Sequence, residues 1–295
     1  MRVGVIGVGG IGGLIAAAAA GAGHDVELRV RTPIDHLVVV HDGTESVVPA
    51  TVSADPSGPR ADVVFLVVKA TDTASAAPHL AHLCGPETLT VVVQNGLDQE
   101  QRVIHHLPSD AGPSSPALAY AAAERVAPGR IHHISGNLLI VPAEHAARVV
   151  ESVGPALRVR GTDDYHTESW RKLLANLLGN PISALTLRHL DVMRSPGIPE
   201  LARGLLLEAG AVARADGADL SDEEVLRVLA GMERFGAETG SSMLYDRLAR
   251  RPMEHQFLTG EVVRRGAVHG VDVPLNAAVL ALLEAIDRGP EGARP

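Results

Sequence analysis

The segment RVGVIGVGGIGGLIAAAAAGAG, residues 2–23, most constrains what this chain can fold into. RVGVI (residues 2–6) reads as a short apolar strand. Gly7, Gly9 and Gly12 follow as G-x-G-x-x-G, and an alanine-rich helix then runs to Gly23. The first glycine permits a tight turn, the second lets a pyrophosphate approach the backbone, and the third lets helix and strand pack closely. The helix N-terminus presents free N–H groups and partial positive charge to an anion. The loop Gly7, Val8, Gly9, Gly10, Ile11 and Gly12 is therefore a candidate cofactor-binding turn. The motif alone is weak. Its place between a strand and a helix, with a second strand HDVELRV after it, specifies a dinucleotide-binding unit of Rossmann type.

The remaining pattern supports that fold class. Val38–Val40 and Val47–Val48 suggest small strands around an Asp42-Gly43 turn. DVVFLVVK is the continuous apolar run of a strand buried on both faces of a parallel sheet. A helix through Thr73–Leu83 leads into the strand LTVVVQNG. PSDAGPSSP (108–116) reads as a loop, RIHHISGNLLIVP as a pair of strands around Ser135-Gly136, and LRVRG as one more. From about Thr167 long helical patterns take over: ESWRKLLANLLGN, PELARGLLLEAGAVARADG, SDEEVLRVLAGM with a Ser221/Glu224 capping box, Met253 to Gly270, and LNAAVLALLEAID. RGPEGARP reads as a frayed tail. The reading is an α/β protein: a doubly wound Rossmann-type domain over 1–164 and an all-helical domain over 165–295.

The tip of the second strand selects the cofactor. An NAD enzyme places Asp or Glu there for the ribose hydroxyls. This chain has Arg29 and Arg31, and its nearest acid, Glu27, lies inside the strand. An arginine suits a 2′-phosphate, so NADP(H) is favoured. Arg31 is assigned the contact and Arg29 is read as a solvated strand residue.

Of 26 basic residues only Lys69 and Lys172 are lysines, in a chain that otherwise uses arginine for positive charge. Lysine can release its proton and arginine in practice cannot. Lys69 ends the DVVFLVVK run, at the edge of the sheet where ligands of open α/β sheets bind. Lys172 opens a polar stripe with Asn176 and Asn180. Four-residue steps turn ~400° each, so the three lie within ~80° over ~12 Å of one helix face. Asparagines in the leucine-rich LLANLLGN are costly if buried without partners. The competing reading has Asn180 capping a helix end near Pro181.

A net charge of −9 argues against a nucleic-acid partner. The one cysteine, Cys84, allows no disulfide within the chain and no cysteine-based zinc site, and the adjacent His105-His106 and His132-His133 lack metal-ligand spacing, so no metal is expected. The apolar N-terminal stretch resembles a signal peptide or membrane span only in hydropathy, because its glycines form a turn pattern. A cytoplasmic protein without membrane contact is expected.

At these residues the chain resembles the ketopantoate reductase family over nearly its whole length. The resemblance rests on GVGGIG at 7–12, Arg31, Lys69, QNGL at 94–97, WRKLLANLLGNP at 170–181, SSMLYD at 241–246, and Glu254 twelve residues after Ser242. The lysine-asparagine-asparagine helix with SSML is its specific part. The resemblance implies a substrate cleft between a Rossmann and a helical domain, and NADPH-dependent reduction of ketopantoate to pantoate on the route to pantothenate and coenzyme A. Lys172 would be the general acid. Asn95, Asn176, Asn180 and Ser242 would hold substrate or nicotinamide. Glu254 would hold the cofactor ribose or orient Lys172, and Arg31 and Lys69 would contact the 2′-phosphate. Two departures bear on the pocket: EHQFLTG carries Gln256 and Thr259 where relatives often have an acid and then Asn or Ser, and SSPALAYAAAERVAPG lacks a glycine-rich character. A paralogue reducing another 2-oxo acid or lactone, and a non-catalytic NADP-binding sensor, stand as alternatives. Apolar helical faces leave a homodimer open.

Overall fold

A computed structural model describes residues 1–231, 236 and 238–288, and the chain divides into two compact units. The first comprises residues 1–94 and 98–165. The second comprises 95–97 and 166–295.

The first unit opens with β1 (Arg2–Ile6), α1 (Gly10–Gly21) and β2 (Asp25–Arg29), followed by β3 (Leu37–His41), β4 (Thr44–Val48), β5 (Thr51–Ser53) and β6 (Val63–Leu66). Then come α2 (Thr73–Leu83), β7 (Leu89–Val92), α3 (Gln99–Val103), β8 (Ser114–Pro116), β9 (Leu118–Ala127), β10 (Arg130–Pro142), α4 (Ala143–Val153) and β11 (Arg158–Thr162). Six strands form one all-parallel sheet in the order β5-β2-β1-β6-β7-β8. Its order reverses between β1 and β6, which is the doubly wound Rossmann topology. Both faces are buried: Val63 and Phe65 of β6 join the core on the α1 side, and Val64 and Leu66 join the core holding Leu80 and Leu83 of α2. That is why β6 reads as unbroken apolar sequence.

A second sheet, β11-β10-β3-β4 with β9 on β10, packs against the other side of α1. A helix covered on all sides has no polar face to show. This accounts for GIGGLIAAAAAG, whose small residues let the layers close. A Cβ on Gly10 would strike the Ala123 carbonyl of β9, and one on Gly13 would meet the Ile131 side chain at 2.5 Å.

Three expectations need correction here. RIHHISGNLLIVP is one long strand, not a hairpin: Gly136 (φ +72) sits in an irregularity of the β9–β10 pairing, and β9 supplies the partner strand. Ser114–Pro116, expected as loop, adds the edge strand β8. Arg29 is 1% exposed rather than solvated.

The second unit is helical: α5 (Tyr165–Thr186, its first residue assigned to the first unit), α6 (Ile198–Ala215), α7 (Asp222–Gly231), α8 (Ser242–Leu248), α9 (Thr259–His269) and α10 (Pro274–Arg288). Leu97 is buried in its core beside the leucines of α5, which ties residues 95–97 to this unit. The capping box forms at α7, where Glu224 N–H donates to Ser221 Oγ (3.2 Å) and Ser221 N–H to Glu224 Oε2 (3.0 Å). Residues 289–295 of the tail, and Met232 after α7, lie outside the described residues. Among the described residues no helix is long and apolar enough to cross a membrane.

Candidate active site

In the first unit the glycine turn links β1 to α1. Gly7 has φ +96, and a Cβ there would lie 2.7 Å from the Val68 amide; a Cβ on Gly12 would collide with the Gly7 carbonyl. Gly9 differs: a Cβ there would meet nothing within 4 Å. It precedes the first turn of α1, where no side chain caps the helix and no acid is present. Gly7 and Gly12 are thus fixed by packing, whereas Gly9 borders open space at an uncapped helix N-terminus, the condition for a phosphate cradle.

Past the tip of β2, Arg31 has an 81% exposed side chain, and its guanidinium lies 4.0 Å from Asp72. Asp72 is three residues beyond Lys69 and donates its N–H to the Lys69 carbonyl (2.8 Å). Arg31 and the turn after β6 are therefore neighbours at one edge of the sheet. Arg29 is held inside, donating to Glu27 (2.6 Å) and to the carbonyls of Asp55 and Ser57. It fastens the 55–57 loop and has no free face for a ligand.

The second unit gathers the other expected residues. α5 buries Trp170, Leu173, Leu174, Leu177 and Leu178, leaving the Lys172–Asn176–Asn180 stripe on another face. From that stripe a hydrogen-bonded line runs in one direction. Ser242 Oγ donates to Asn180 Oδ1 (3.0 Å), and Asn180 Nδ2 donates to the Asn176 carbonyl (3.2 Å). Asn176 Nδ2 donates to Asn95 Oδ1 (3.3 Å), and Asn95 Nδ2 to Glu254 Oε2 (3.1 Å). The Glu254 carboxylate, 7% exposed, is the terminal acceptor. The structure thus brings Asn95, Asn176, Asn180, Ser242 and Glu254 together, with Lys172 one helical turn from Asn176. Burial pushes the Lys172 ammonium down from the ordinary 10.5 to about 8.

Asn180 does not mark a helix end. α5 runs on through Pro181 to Thr186. Pro181 has no N–H to offer the Leu177 carbonyl. The Asn180 carboxamide instead receives α8, its Oδ1 accepting also from Met243 N–H (3.2 Å).

Two features escaped the sequence reading. Trp170, the only tryptophan, is fully buried and donates Nε1–H to Asp216 (3.0 Å). Asp216 also receives Arg265 (2.5 Å) and His269 (2.9 Å). Burial raises the Asp216 carboxyl, but its bonds from Arg265, His269 and Trp170 outweigh this and hold it below the ordinary value. A lone tryptophan beside Lys172 was the available signal; its acid partner, 46 residues away, had none. Ser241 caps α8 by accepting from Leu244 N–H (3.1 Å), which the Ser-Ser pair could have suggested. Of the departures, Gln256 is exposed and donates to Glu284 on α10 (2.6 Å), so it lies off the hydrogen-bonded line. Thr259 is fully buried, and among the described residues its hydroxyl has no hydrogen-bond partner.

Residues 3–144 match the family model described as ketopantoate reductase PanE/ApbA, and residues 164–287 match its C-terminal counterpart. The chain is 34% identical over 294 residues to the 2-dehydropantoate 2-reductase of Mycobacterium tuberculosis, covering 98% of each chain. It is 33% identical to that of Caulobacter vibrioides, over 96% of this chain and 98% of the relative. Its backbone is similar to a crystal structure of a PanE/ApbA family ketopantoate reductase from Ralstonia eutropha, with TM-score 0.86, 29% identity, and coverage of 98% and 99%. A Rossmann unit, a helical unit carrying the lysine-asparagine-asparagine stripe, and full-length similarity together establish that the chain belongs to the ketopantoate reductase family of oxidoreductases.

Proposed function

We propose that this protein reduces ketopantoate to pantoate with NADPH. The observation that carries the reading is the line Ser242–Asn180–Asn176–Asn95–Glu254, built on the α5 face that bears Lys172. Polar groups gathered in one line, from buried Glu254 and Asn180 through half-buried Asn95 and Asn176 to exposed Ser242, are held for a polar ligand rather than for packing.

The cofactor would lie on the first unit. The open space at Gly9 and the uncapped start of α1 fit a pyrophosphate, and exposed Arg31 fits a 2′-phosphate, with Lys69 on the adjacent turn but its ammonium buried. When bound there, NADPH would supply the hydride that adds to the carbonyl carbon and leave as NADP⁺. As the carbonyl π bond breaks, negative charge grows on its oxygen. Lys172 stabilises that charge and gives the oxygen a proton, leaving a neutral amine that is reprotonated from solvent. An ammonium with pKa about 8 suits this role: charged near neutral pH, yet a better acid than an ordinary lysine. Asn95, Asn176, Asn180 and Ser242 orient the oxo acid. Glu254 anchors the line and holds the cofactor ribose or orients Lys172.

The test is NADPH oxidation followed by absorbance, with ketopantoate against a panel of 2-oxo acids and lactones and NADH as control. Ketopantoate with NADPH should be the best pair by far in kcat/KM. Poor turnover of ketopantoate beside rapid turnover of another 2-oxo compound would refute the substrate. Lys172→Ala should abolish turnover while NADPH still binds; unchanged turnover would refute the role of Lys172.

A further inference from the structure

We infer that Ser183 is a positioning residue for substrate binding, acting through Ser241 on Ser242. This rests on the proposed role of Ser242 as a substrate contact. Ser183 lies on α5, one turn beyond Asn180 on the same side, and is fully buried. Its hydroxyl is 2.6 Å from that of Ser241 and 2.6 Å from the Gly179 carbonyl. The Gly179 carbonyl can only accept, so the single Ser183 proton points to it and the Ser241 proton to Ser183, while Ser241 Oγ accepts from Leu244 N–H (3.1 Å). The result is an oriented relay: Leu244 amide to Ser241 hydroxyl, to Ser183 hydroxyl, to helix carbonyl.

The relay docks the first turn of α8 on α5 beside a second attachment, in which Asn180 Oδ1 accepts from Ser242 Oγ and Met243 N–H. At its other end α8 is fastened by Arg247, which donates to the carbonyls of Ala184 and Leu185. A helix of seven residues has little stability of its own, so its register comes from these attachments. Asn180 is engaged by the proposed site itself, and Arg247 lies at the far end. Ser183 therefore sets the position of the Ser242 hydroxyl from outside the site, touching no reacting group.

The experiment is a double-mutant cycle on the whole enzyme, with Ser183→Ala, Ser242→Ala and the pair, reading KM for ketopantoate, KM for NADPH, kcat and Tm. Ser183→Ala should raise KM for ketopantoate about fivefold to tenfold, with KM for NADPH within about twofold of the parent. In the Ser242→Ala background the same substitution should leave KM for ketopantoate unchanged, because the group it positions is gone. Equal effects in both backgrounds, or a fall in Tm without a rise in KM, would overturn the inference. If Ser183→Ala does not fold, Ser241→Gly removes the same link and leaves a residue tolerated at a helix N-cap, with the same expected pattern. A parental KM in Ser242→Ala alone refutes the substrate role of Ser242, and the inference falls with it. A raised KM there without one in Ser183→Ala or Ser241→Gly refutes the inference alone.

Discussion

Lys172 gives the sharpest test of the chemistry. Burial brings its pKa to about 8, and the proposed step needs it protonated. The protonated fraction is 1/(1 + 10^(pH − pKa)), so kcat/KM for the oxo acid should be flat at neutral pH. It should fall to about a tenth by pH 9 and about a hundredth by pH 10. A lysine at its ordinary 10.5 would lose almost nothing at pH 9. The assay is initial-rate NADPH oxidation at saturating cofactor across pH 6 to 10, with Lys172→Arg as comparison. Arginine keeps the charge but cannot release its proton. The variant should therefore be slow and lack the alkaline limb. A profile flat to pH 10 in the parent would refute a lowered Lys172 pKa as the control on the rate, and an alkaline limb kept in Lys172→Arg would refute the assignment of Lys172 as proton donor.

The same shift carries a stability cost with a defined sign. Between pH 8 and 10.5 the unfolded chain holds the Lys172 proton and the folded chain does not, so this residue makes stability rise with pH across that window. Below pH 8 both states are protonated and the full cost is present. Above 10.5 neither is, and the cost vanishes. A displacement of 2.5 units at ~1.4 kcal/mol each bounds the cost at about 3 kcal/mol. Lys172→Met should thus be more stable than the parent at pH 7 by up to that amount, with the gain fading toward pH 10.5. Urea unfolding at pH 7 and 10 measures the difference; a variant less stable at both values would contradict the desolvation argument.

Gly9→Ala should keep the parental Tm, because the added methyl meets open space, yet weaken NADPH binding about tenfold or more by fluorescence titration. Gly12→Ala should instead lower Tm or fail to fold, since its methyl collides with the Gly7 carbonyl. Arg31→Ala should raise KM for NADPH by about tenfold to a hundredfold, the worth of a charged hydrogen bond, and leave KM for NADH nearly unchanged. Asp216→Leu should destabilise by about 1–3 kcal/mol in urea unfolding, because it removes the acceptor of the buried Trp170 N–H and one of the two carboxylates, Asp216 and Glu261, that face the Arg265 guanidinium.

What the sequence disclosed, and what it withheld, divides by the range of the interactions. The Lys172–Asn176–Asn180 stripe was legible because helical periodicity is local: three polar residues four apart share a face whatever the tertiary structure. The buried strands β6 and β7 were legible for the same reason. β9 was not, because alanine carries little strand preference. It is a strand because β10 pairs with it and because only small side chains fit against Gly10 of α1. Asn95 follows β7 in sequence, yet Leu97 anchors its segment in the helical unit, and that attachment depends on residues more than seventy positions away.

The two arginines at the tip of β2 show the same division within a single motif. Both carry the charge that suits a 2′-phosphate, and nothing within the strand ranks them. The distinction comes from the 55–57 loop, whose carbonyls, with Glu27, take up the Arg29 guanidinium. Those bonds hold both terminal nitrogens of Arg29 inside the fold, while Arg31, two residues on, has among the described residues the 4.0 Å approach of Asp72 to compete with a ligand. A chain that kept Arg31 but lost Glu27 would have a buried guanidinium without its countercharge. Glu27→Gln should therefore loosen the 55–57 loop and raise amide exchange there, while KM for NADPH moves far less than in Arg31→Ala. An equal loss of NADPH affinity in both variants would mean that Arg29, from its buried position, contributes to cofactor binding after all.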